Sequence, residues 1–278
     1  MIVREALQRA AARLADVSET SGSDVQRLLR TVLKVERAWL MAHPEQELDP
    51  SQVEAFACLV ERAAVGEPLP YILGTWGFYD REYCVTPDVL IPRPETELLL
   101  EQALVFVGED AITAVDVGTG SGVLAVTLAA LRPLTRVYAT DVSRPALAVA
   151  AKNAAFHGAQ VSFFEGDLLQ PLIEQRLRCR LILANLPYIP GEEVSRLQVS
   201  RYEPRLALDG GPDGLEIIRR LLAQIPAVAD ADALILLEIM AGQGGALAAE
   251  VEARLPEAVV EILPDYAGHD RIARIRIA

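Results

Sequence analysis

Apolar residues in the first part of the chain recur every three or four positions, the period of a helix that buries one face. Val3, Leu7, Ala10, Ala11 and Leu14 share one such face. Val25, Leu28, Leu29 and Val32 share another, in a helix whose N-cap is expected at Ser23. A third helix is expected ahead of Phe56 and Val60, opened by a capping box in which Ser51 is answered by Glu54. No strand-type alternation interrupts this stretch, so residues 1–67 are expected to form a small all-helical domain. From Pro68 the pattern changes. YILGTWGFYDREYCVTPDVLIPRPETE is crowded with aromatics, glycines and prolines, and GTWGFY with EYCVT can pair as a hairpin. Residues 68–95 are expected to be a linker that folds against the domain after it.

Within residues 96–278, short apolar runs alternate with helical stretches from Ala111 onward: AITAVDV, RVYATD, VSFFEG, LILAN and ALILLEI. Apolar runs with little polar alternation belong to strands covered on both faces, so the pattern predicts a mostly parallel sheet between helical layers. The helices are expected to open near Gly122, behind a Ser143 cap, and near Leu215. The closing VVEILPDYAGHDRIARIRIA holds two alternating runs around a turn, an antiparallel terminal pair. The expected fold class is therefore α/β and Rossmann-like, mostly parallel with an antiparallel terminal strand, behind a small helical domain.

Composition narrows the function classes. Of 278 residues 51% are hydrophobic, enough for a sizeable core. The formal net charge of -13 argues against a grip on the phosphate backbone of a nucleic acid, which needs clustered Lys and Arg. Cys58, Cys84 and Cys179 are scattered without CxxC spacing or companion histidines, so neither a disulfide framework nor a metal site is expected. With no membrane-spanning run and no basic head followed by an apolar stretch, a cytoplasmic protein is expected.

The chemistry begins at AVDVGTGSGVLA. Gly118, Gly120 and Gly122, with Thr119 and Ser121 between them, follow a strand and open a helix, so that backbone can approach a ligand closely. A tight strand-to-helix turn alone would use the same glycines. The spacing is GxGxG rather than the GxGxxG of dinucleotide folds, with Asp116 at the first strand's end. Asp141 ends the next strand, where a carboxylate can accept both hydroxyls of a ribose. In GDLLQPL, Asp167 is placed to meet an adenine amino group and Leu168 to pack on its ring, although GD is also ordinary turn chemistry. A ribose and an adenine without a pyrophosphate point to S-adenosylmethionine as cofactor, leaving S-adenosylhomocysteine as product.

After the fourth strand comes Asn185-Leu186-Pro187-Tyr188. An NH2 group conjugated to a carbonyl or an aromatic ring is a poor nucleophile, so its site must hold both N–H groups and aim the lone pair. The Asn185 side-chain oxygen and the Leu186 carbonyl can be the two acceptors, with Pro187 stiffening the loop and Tyr188 walling the substrate. A strand-terminating turn with a buried tyrosine is the alternative use of the same residues.

FYDREYCVTPDVLIPRPETE, DVGTGSG, TDVSRPAL, GDLLQPL, ANLPYI, EPRLALDGGPDGL and LLEI followed by Gln243 together resemble the release-factor glutamine N5-methyltransferases, the HemK/PrmC family, over essentially the full length. That resemblance implies a class I methyltransferase domain with a helical substrate-docking domain and S-adenosylmethionine as donor. It implies as acceptor the glutamine of the Gly-Gly-Gln tripeptide in a class 1 peptide chain release factor. By the resemblance, Gly118 to Gly122, Asp141, Leu168 and Asn185 line the cofactor, and Asn185 to Tyr188 hold the glutamine. Phe78, Arg93 and Glu95 are similar to residues that shape the substrate mouth; for Arg93 and Glu95, helix-start chemistry around Pro94 is an equal reading. The chain departs from the family pattern at Leu186, usually proline, and at Met240, usually glycine. An N6-adenine RNA methyltransferase is the main rival, because NLPY also resembles the motif of adenine dimethyltransferases. A non-catalytic module on the same fold is the other. A monomer is expected.

Overall fold

In the computed structural model, which describes residues 1–277, the chain divides into two units, the first spanning Met1–Thr75 and the second beginning at Trp76. The first holds five helices among the described residues: α1 (Val3–Leu14), α2 (Ser21–Leu33), α3 (Arg37–Ala42), α4 (Pro50–Ala64) and α5 (Leu69–Leu73). Their inward faces make one core from Val3, Leu14, Leu28, Leu29, Phe56 and Ile72, the residues that recur with helical period in the sequence together with Ile72 of α5. Two caps lie elsewhere than expected. α4 is capped by Asp49, not Ser51: Asp49 accepts from Gln52 N at 2.9 Å while the Gln52 side chain receives the Asp49 N–H, with Pro50 fixing the first turn. α2 starts at Ser21, behind Thr20 rather than Ser23, and the hydroxyls of Ser18 and Thr20 donate to Asp24 in its first turn. The expected linker also splits, because α5 buries Ile72 in the helical core and so extends that unit past residue 67.

The second unit opens with a hairpin, β1 (Thr75–Phe78) and β2 (Arg81–Cys84), then continues through α6 (Glu95–Val107), β3 (Thr113–Val117), α7 (Val123–Leu131), β4 (Arg136–Asp141), α8 (Arg144–His157) and β5 (Val161–Glu165). There follow α9 (Gln170–Glu174), β6 (Cys179–Ala184), α10 (Gly191–Val194), two short 3-10 turns, α11 (Glu216–Val228), β7 (Ala229–Glu238), α12 (Gly244–Arg254), β8 (Val259–Pro264) and β9 (Asp270–Arg276). Among the described residues seven strands form one sheet in the order β5-β4-β3-β6-β7-β9-β8, with β9 antiparallel to both its neighbours and the other pairings parallel.

The period of two along each strand sorts its residues between two cores. Val115, Val117, Ile182, Ile235 and Leu237 face one layer of helices, while Ala114, Leu181, Leu183, Leu234 and Leu236 face the other. Burying each such aliphatic side chain is worth about 1.5–3 kcal/mol, which makes the central strands a rigid platform. The chain leaves β3 toward β4 on one side, while β6 lies on the other, so the strand order reverses between β3 and β6. A crevice opens beyond the strand ends at such a switch point. The register Val117↔Ala184 puts the residues following these two strands, Gly118 and Asn185, side by side at that crevice.

Candidate active site

A cavity of ≈ 330 Å³ opens above the ends of β3, β4 and β6. Gly118, Thr119, Gly120 and Ser121 line it from the glycine loop, Asp141 from β4, Asp167 and Leu168 from the segment after β5, and Asn185, Leu186 and Pro187 from the segment after β6. The structure thus brings most of the expected residues to one wall. Gly122 instead caps α7, with φ +82°.

The glycine loop is tied down by carboxylates. Asp141 accepts from Gly120 N at 2.9 Å and from Ser143 N at 2.8 Å, so it both holds the loop and starts α8, where Ser143 Oγ caps Ala146 N. Burial pushes the Asp141 carboxyl up, and the bonds from Ser143 and Gly120 pull it back. Beneath, Asp116 is 2% exposed and accepts from Thr119 Oγ1 at 2.7 Å and Ala125 N at 3.2 Å. Its carboxyl is pushed up to about 6, chiefly by burial. Gly118 sits at φ +71°, and a Cβ there would stand 2.9 Å from Leu186 Cδ2, so the glycine is required by its backbone angle and by its neighbour. Leu186, in place of the proline usual in the resembled family, is 4% exposed and packs in the core beside this glycine.

Asn185 Nδ2 donates to Thr96 Oγ1 at 2.9 Å. Tyr188 directs its hydroxyl to Glu238 Oε1 at 3.1 Å, which leaves only its ring to face a substrate. Burial, with the Glu238 charge beside it, raises the Tyr188 hydroxyl well above the usual phenol range, so it is neutral. No backbone N–H among the described residues donates to the Leu186 carbonyl. The Tyr188 carbonyl, in contrast, receives Gln243 Nε2 at 3.0 Å, while Gln243 Oε1 receives Met240 N at 3.0 Å. Gly214 lies against the same carbonyl at φ +76°, and a Cβ would fall on the oxygen. This explains the glycines of LDGGPDGL: the segment runs beside the loop, with Ile189 N donating to Leu208 O and Gly210 N to Ile189 O.

A second cavity of ≈ 210 Å³ shares Leu90, Arg93, Asn185, Leu186 and Ala207 with the first and adds Tyr188. Arg93 lines both cavities and pairs with Glu203, whose side chain is 0% exposed, at 2.6 Å; Glu203 also accepts from Ile91 N at 3.3 Å. That pair pins the PRPE segment to the segment before α11. Phe78 and Glu95 line neither cavity. Phe78 is 2% exposed and packs edge-on to Tyr83 in the core, and Glu95 is exposed in the first turn of α6, where a carboxylate suits the helix dipole. Asp167 does not stand free for a ligand, because Arg220 of α11 reaches it at 2.5 Å and joins the cavity wall. Arg220, Thr96 and Glu238 carried no motif of their own in the sequence. PRPETE and LLEI flagged the last two only as parts of a family pattern.

Among the described residues no group of three or more His, Cys, Asp or Glu is arranged to hold a metal ion, and no helix is long and apolar enough to cross a membrane.

Comparison with known proteins adds an independent line. A model of the PrmC N-terminal domain matches residues 5–74, and one of the methyltransferase small domain matches residues 94–201. A protein of Moorella thermoacetica named release factor glutamine methyltransferase is 42% identical, covering 98% of this chain and 97% of its own. Proteins of the same name from Cereibacter sphaeroides (40% identical, 100% and 99% covered) and Bacillus anthracis (36%, 98% and 98%) align as fully. Among solved structures, the hMettl16 catalytic domain in complex with a hairpin of the MAT2A 3'UTR aligns at TM-score 0.56 and 15% identity, covering 82% of each chain. The T. thermophilus 16S rRNA methyltransferase RsmC in complex with AdoMet and guanosine aligns at 0.53 and 15%, covering 73% of this chain and 50% of that one. These two likenesses show the class I methyltransferase fold.

Proposed function

The chain belongs to the release factor glutamine methyltransferase family, and from that membership we propose how its own residues carry the reaction: transfer of a methyl group from S-adenosylmethionine to the side-chain amide nitrogen of a release-factor glutamine. The observation that carries the mechanism is the Asn185–Leu186 edge, common to a larger cavity and a smaller one.

The larger cavity suits S-adenosylmethionine in size and polarity. Ligand pockets begin at about 300 Å³. Its wall presents the carboxylates of Asp88 and Asp141 without an arginine partner, while its arginines, Arg93 and Arg220, are engaged by Glu203 and Asp167, and Asp209 is paired with Arg205. Such a lining favours a ligand bearing hydroxyls and a positive charge over one bearing phosphates. Gly118 to Ser121, Asp141 and Leu168 would hold the cofactor, Asp141 taking the ribose hydroxyls with the lone pairs not used by Gly120 and Ser143. When bound, S-adenosylmethionine supplies a methyl group made electrophilic by its sulfonium.

The smaller cavity receives the acceptor. An amide nitrogen is unreactive because its lone pair is delocalised into the carbonyl, so what the protein supplies is alignment, worth up to several kcal/mol of barrier. Asn185 Oδ1 and the Leu186 carbonyl take the two N–H groups, the Tyr188 ring closes one side, and Pro187 limits the loop's movement. No general base is required, since an N-alkylated amide cation is strongly acidic.

The relatives favour the glutamine reaction over the RNA-adenine rival: those aligned end to end carry the release-factor name, whereas the RNA-bound neighbour is 15% identical. We assign the Gly-Gly-Gln tripeptide of a class 1 release factor as the segment that enters, with the helical unit docking the rest of that protein. Incubating a release factor with the enzyme and S-adenosylmethionine, then sequencing its tryptic peptides by mass spectrometry, should locate one methyl on that glutamine. An unmodified glutamine beside methylated adenine in a parallel RNA incubation would refute the assignment.

A further inference from the structure

We propose that Thr96 and Glu238 are positioning residues that decide which end of the Asn185 amide faces the acceptor, a role that rests on Asn185 being the group that holds the acceptor nitrogen. An asparagine amide is nearly symmetric in shape and opposite in polarity at its two ends: the oxygen accepts and the nitrogen donates. An acceptor NH2 is held only if the oxygen is turned toward it. Steric fit alone does not choose between the two orientations, so something must.

The choice follows from counting protons along one buried chain of hydrogen bonds. Asn185 Nδ2 donates to Thr96 Oγ1 at 2.9 Å, Thr96 Oγ1 donates to Glu238 Oε2 at 2.7 Å, and the Tyr188 hydroxyl donates to Glu238 Oε1 at 3.1 Å. Thr96 is 3% and Glu238 1% exposed, so the central link of the chain is buried, while Asn185 and Tyr188 at its ends are half-buried. An ionised carboxylate only accepts. Thr96 has a single hydroxyl proton, and it points at Glu238. The lone pairs that remain on Thr96 can only receive, so the amide end facing it is the NH2. Asn185 Oδ1 is thereby left for the acceptor. Were the group at position 238 to donate instead, the order would reverse: Thr96 would give its proton to Asn185, the amide would turn over, and an NH2 would meet the acceptor NH2.

The fold brings the three residues together from distant parts of the chain. The register Ala184↔Leu237 sets Asn185 and Glu238 beside each other as β6 and β7 end. Thr96 stands in the first turn of α6, whose Leu99 and Ala103 share a core with Leu234 and Leu236 of β7. The charged groups facing Glu238 are Arg271, from β9, which favours the carboxylate, and Glu95, from α6, which opposes it. Burial raises the Glu238 carboxyl above the usual carboxylate range, and the bonds from Thr96 and Tyr188 offset only part of that rise, so the relay counted above is that of the ionised form. The role also accounts for Thr96 of PRPETE and Glu238 of LLEI, side chains that the Arg93–Glu203 pair does not explain.

The test measures methylation of an intact release factor with kcat and KM separated, alongside melting temperatures. Thr96→Ser keeps the relay and is expected within about threefold of the unmodified enzyme. Thr96→Val keeps the shape, removes the relay, and should lower kcat by roughly tenfold or more with a smaller change in KM. Glu238→Gln is nearly isosteric: its oxygen takes the Tyr188 hydroxyl, its nitrogen donates to Thr96, and the inverted relay should cost at least as much as Thr96→Val. Asn185→Ala separates the two levels of the reasoning. If it turns over at the unmodified rate, the acceptor role of Asn185 fails and the positioning role with it. If it loses about a hundredfold while Thr96→Val and Glu238→Gln stay at the unmodified rate, only the positioning role is overturned. Should Glu238→Gln not fold, the Thr96 pair decides: equal kcat for Ser and Val overturns the role, and loss in Val alone supports it.

Discussion

Replacing Asp141 with alanine acts on two things at once, because this carboxylate both closes the glycine loop and faces the cavity. Its oxygens accept from Gly120 N at 2.9 Å and Ser143 N at 2.8 Å. Removing them leaves two N–H groups at the edge of an open cavity, where water replaces part of the loss, so the free protein should lose only about 1–2 kcal/mol of stability. Cofactor binding should suffer more. A charge-assisted bond to a ribose hydroxyl is worth about 1.5–3 kcal/mol, which converts to roughly ten- to a hundred-and-fiftyfold in Kd. Asp141→Asn should fall between, since its one oxygen serves a single N–H and its NH2 opposes the other. Calorimetric titration with S-adenosylhomocysteine gives both constants, with thermal melting to establish that each variant is folded. A folded Asp141→Ala protein that binds with an unchanged Kd would remove Asp141 from the cofactor site and, with it, the reason for placing the ribose at the end of β4.

Gly118→Ala forces a side chain into φ +71° and within 2.9 Å of Leu186 Cδ2, so urea unfolding should show a loss of about 1–3 kcal/mol; measured in a Leu186→Ala background, where the clash is cleared but not the backbone strain, the cost of Gly118→Ala should shrink by less than half. Asp116, with its carboxyl raised to about 6 from 3.8, binds a proton more readily folded than unfolded. Its contribution to stability therefore falls as pH rises from about 4 to about 6, by about 3 kcal/mol. Asp116→Asn should flatten that part of the stability profile, and an unaltered profile would contradict the raised value. A protein beginning at Trp76 should bind S-adenosylmethionine but methylate an intact release factor with kcat/KM reduced about a hundredfold or more, because remote contacts position the glutamine; equal efficiency in a folded truncation would remove the docking role of the helices.

Local order was legible in the sequence where one physical rule acted alone. RVYATD became β4 at Arg136–Asp141 without correction, and Ser143 caps α8 as its spacing suggested. Where two local signals compete, spacing alone does not separate them: Ser51 with Glu54 and Asp49 with Gln52 both fit a capping box, and Pro50 in the first turn decides for Asp49. The resemblance puts Phe78 at the mouth, yet its hairpin strand turns it inward against Tyr83. The remaining omissions are non-local. Arg220 meets Asp167 across 53 residues of chain, and Thr96 meets Glu238 across 142. No period or spacing encodes such a meeting; it exists only once α6 and α11 have packed on the sheet.

The two sides of the Asn185–Tyr188 loop differ in how freely evolution can alter them. At Leu186 the side chain enters an apolar floor beside Gly118, where volume is the main constraint, and a residue other than the usual proline has been accommodated there. At Tyr188 the carbonyl is fixed by the Gln243 amide and overlaid by Gly214, where a Cβ would fall on both the carbonyl oxygen and the Gln243 amide. Substitutions at Gly214 and Gln243 should therefore be strongly epistatic, deleterious singly and not restored by pairing, whereas the floor beneath Leu186 is open to gradual drift. One loop of four residues thus carries a face bounded by volume and a face fixed by polar contacts, two positions apart in sequence and opposite in their tolerance of change.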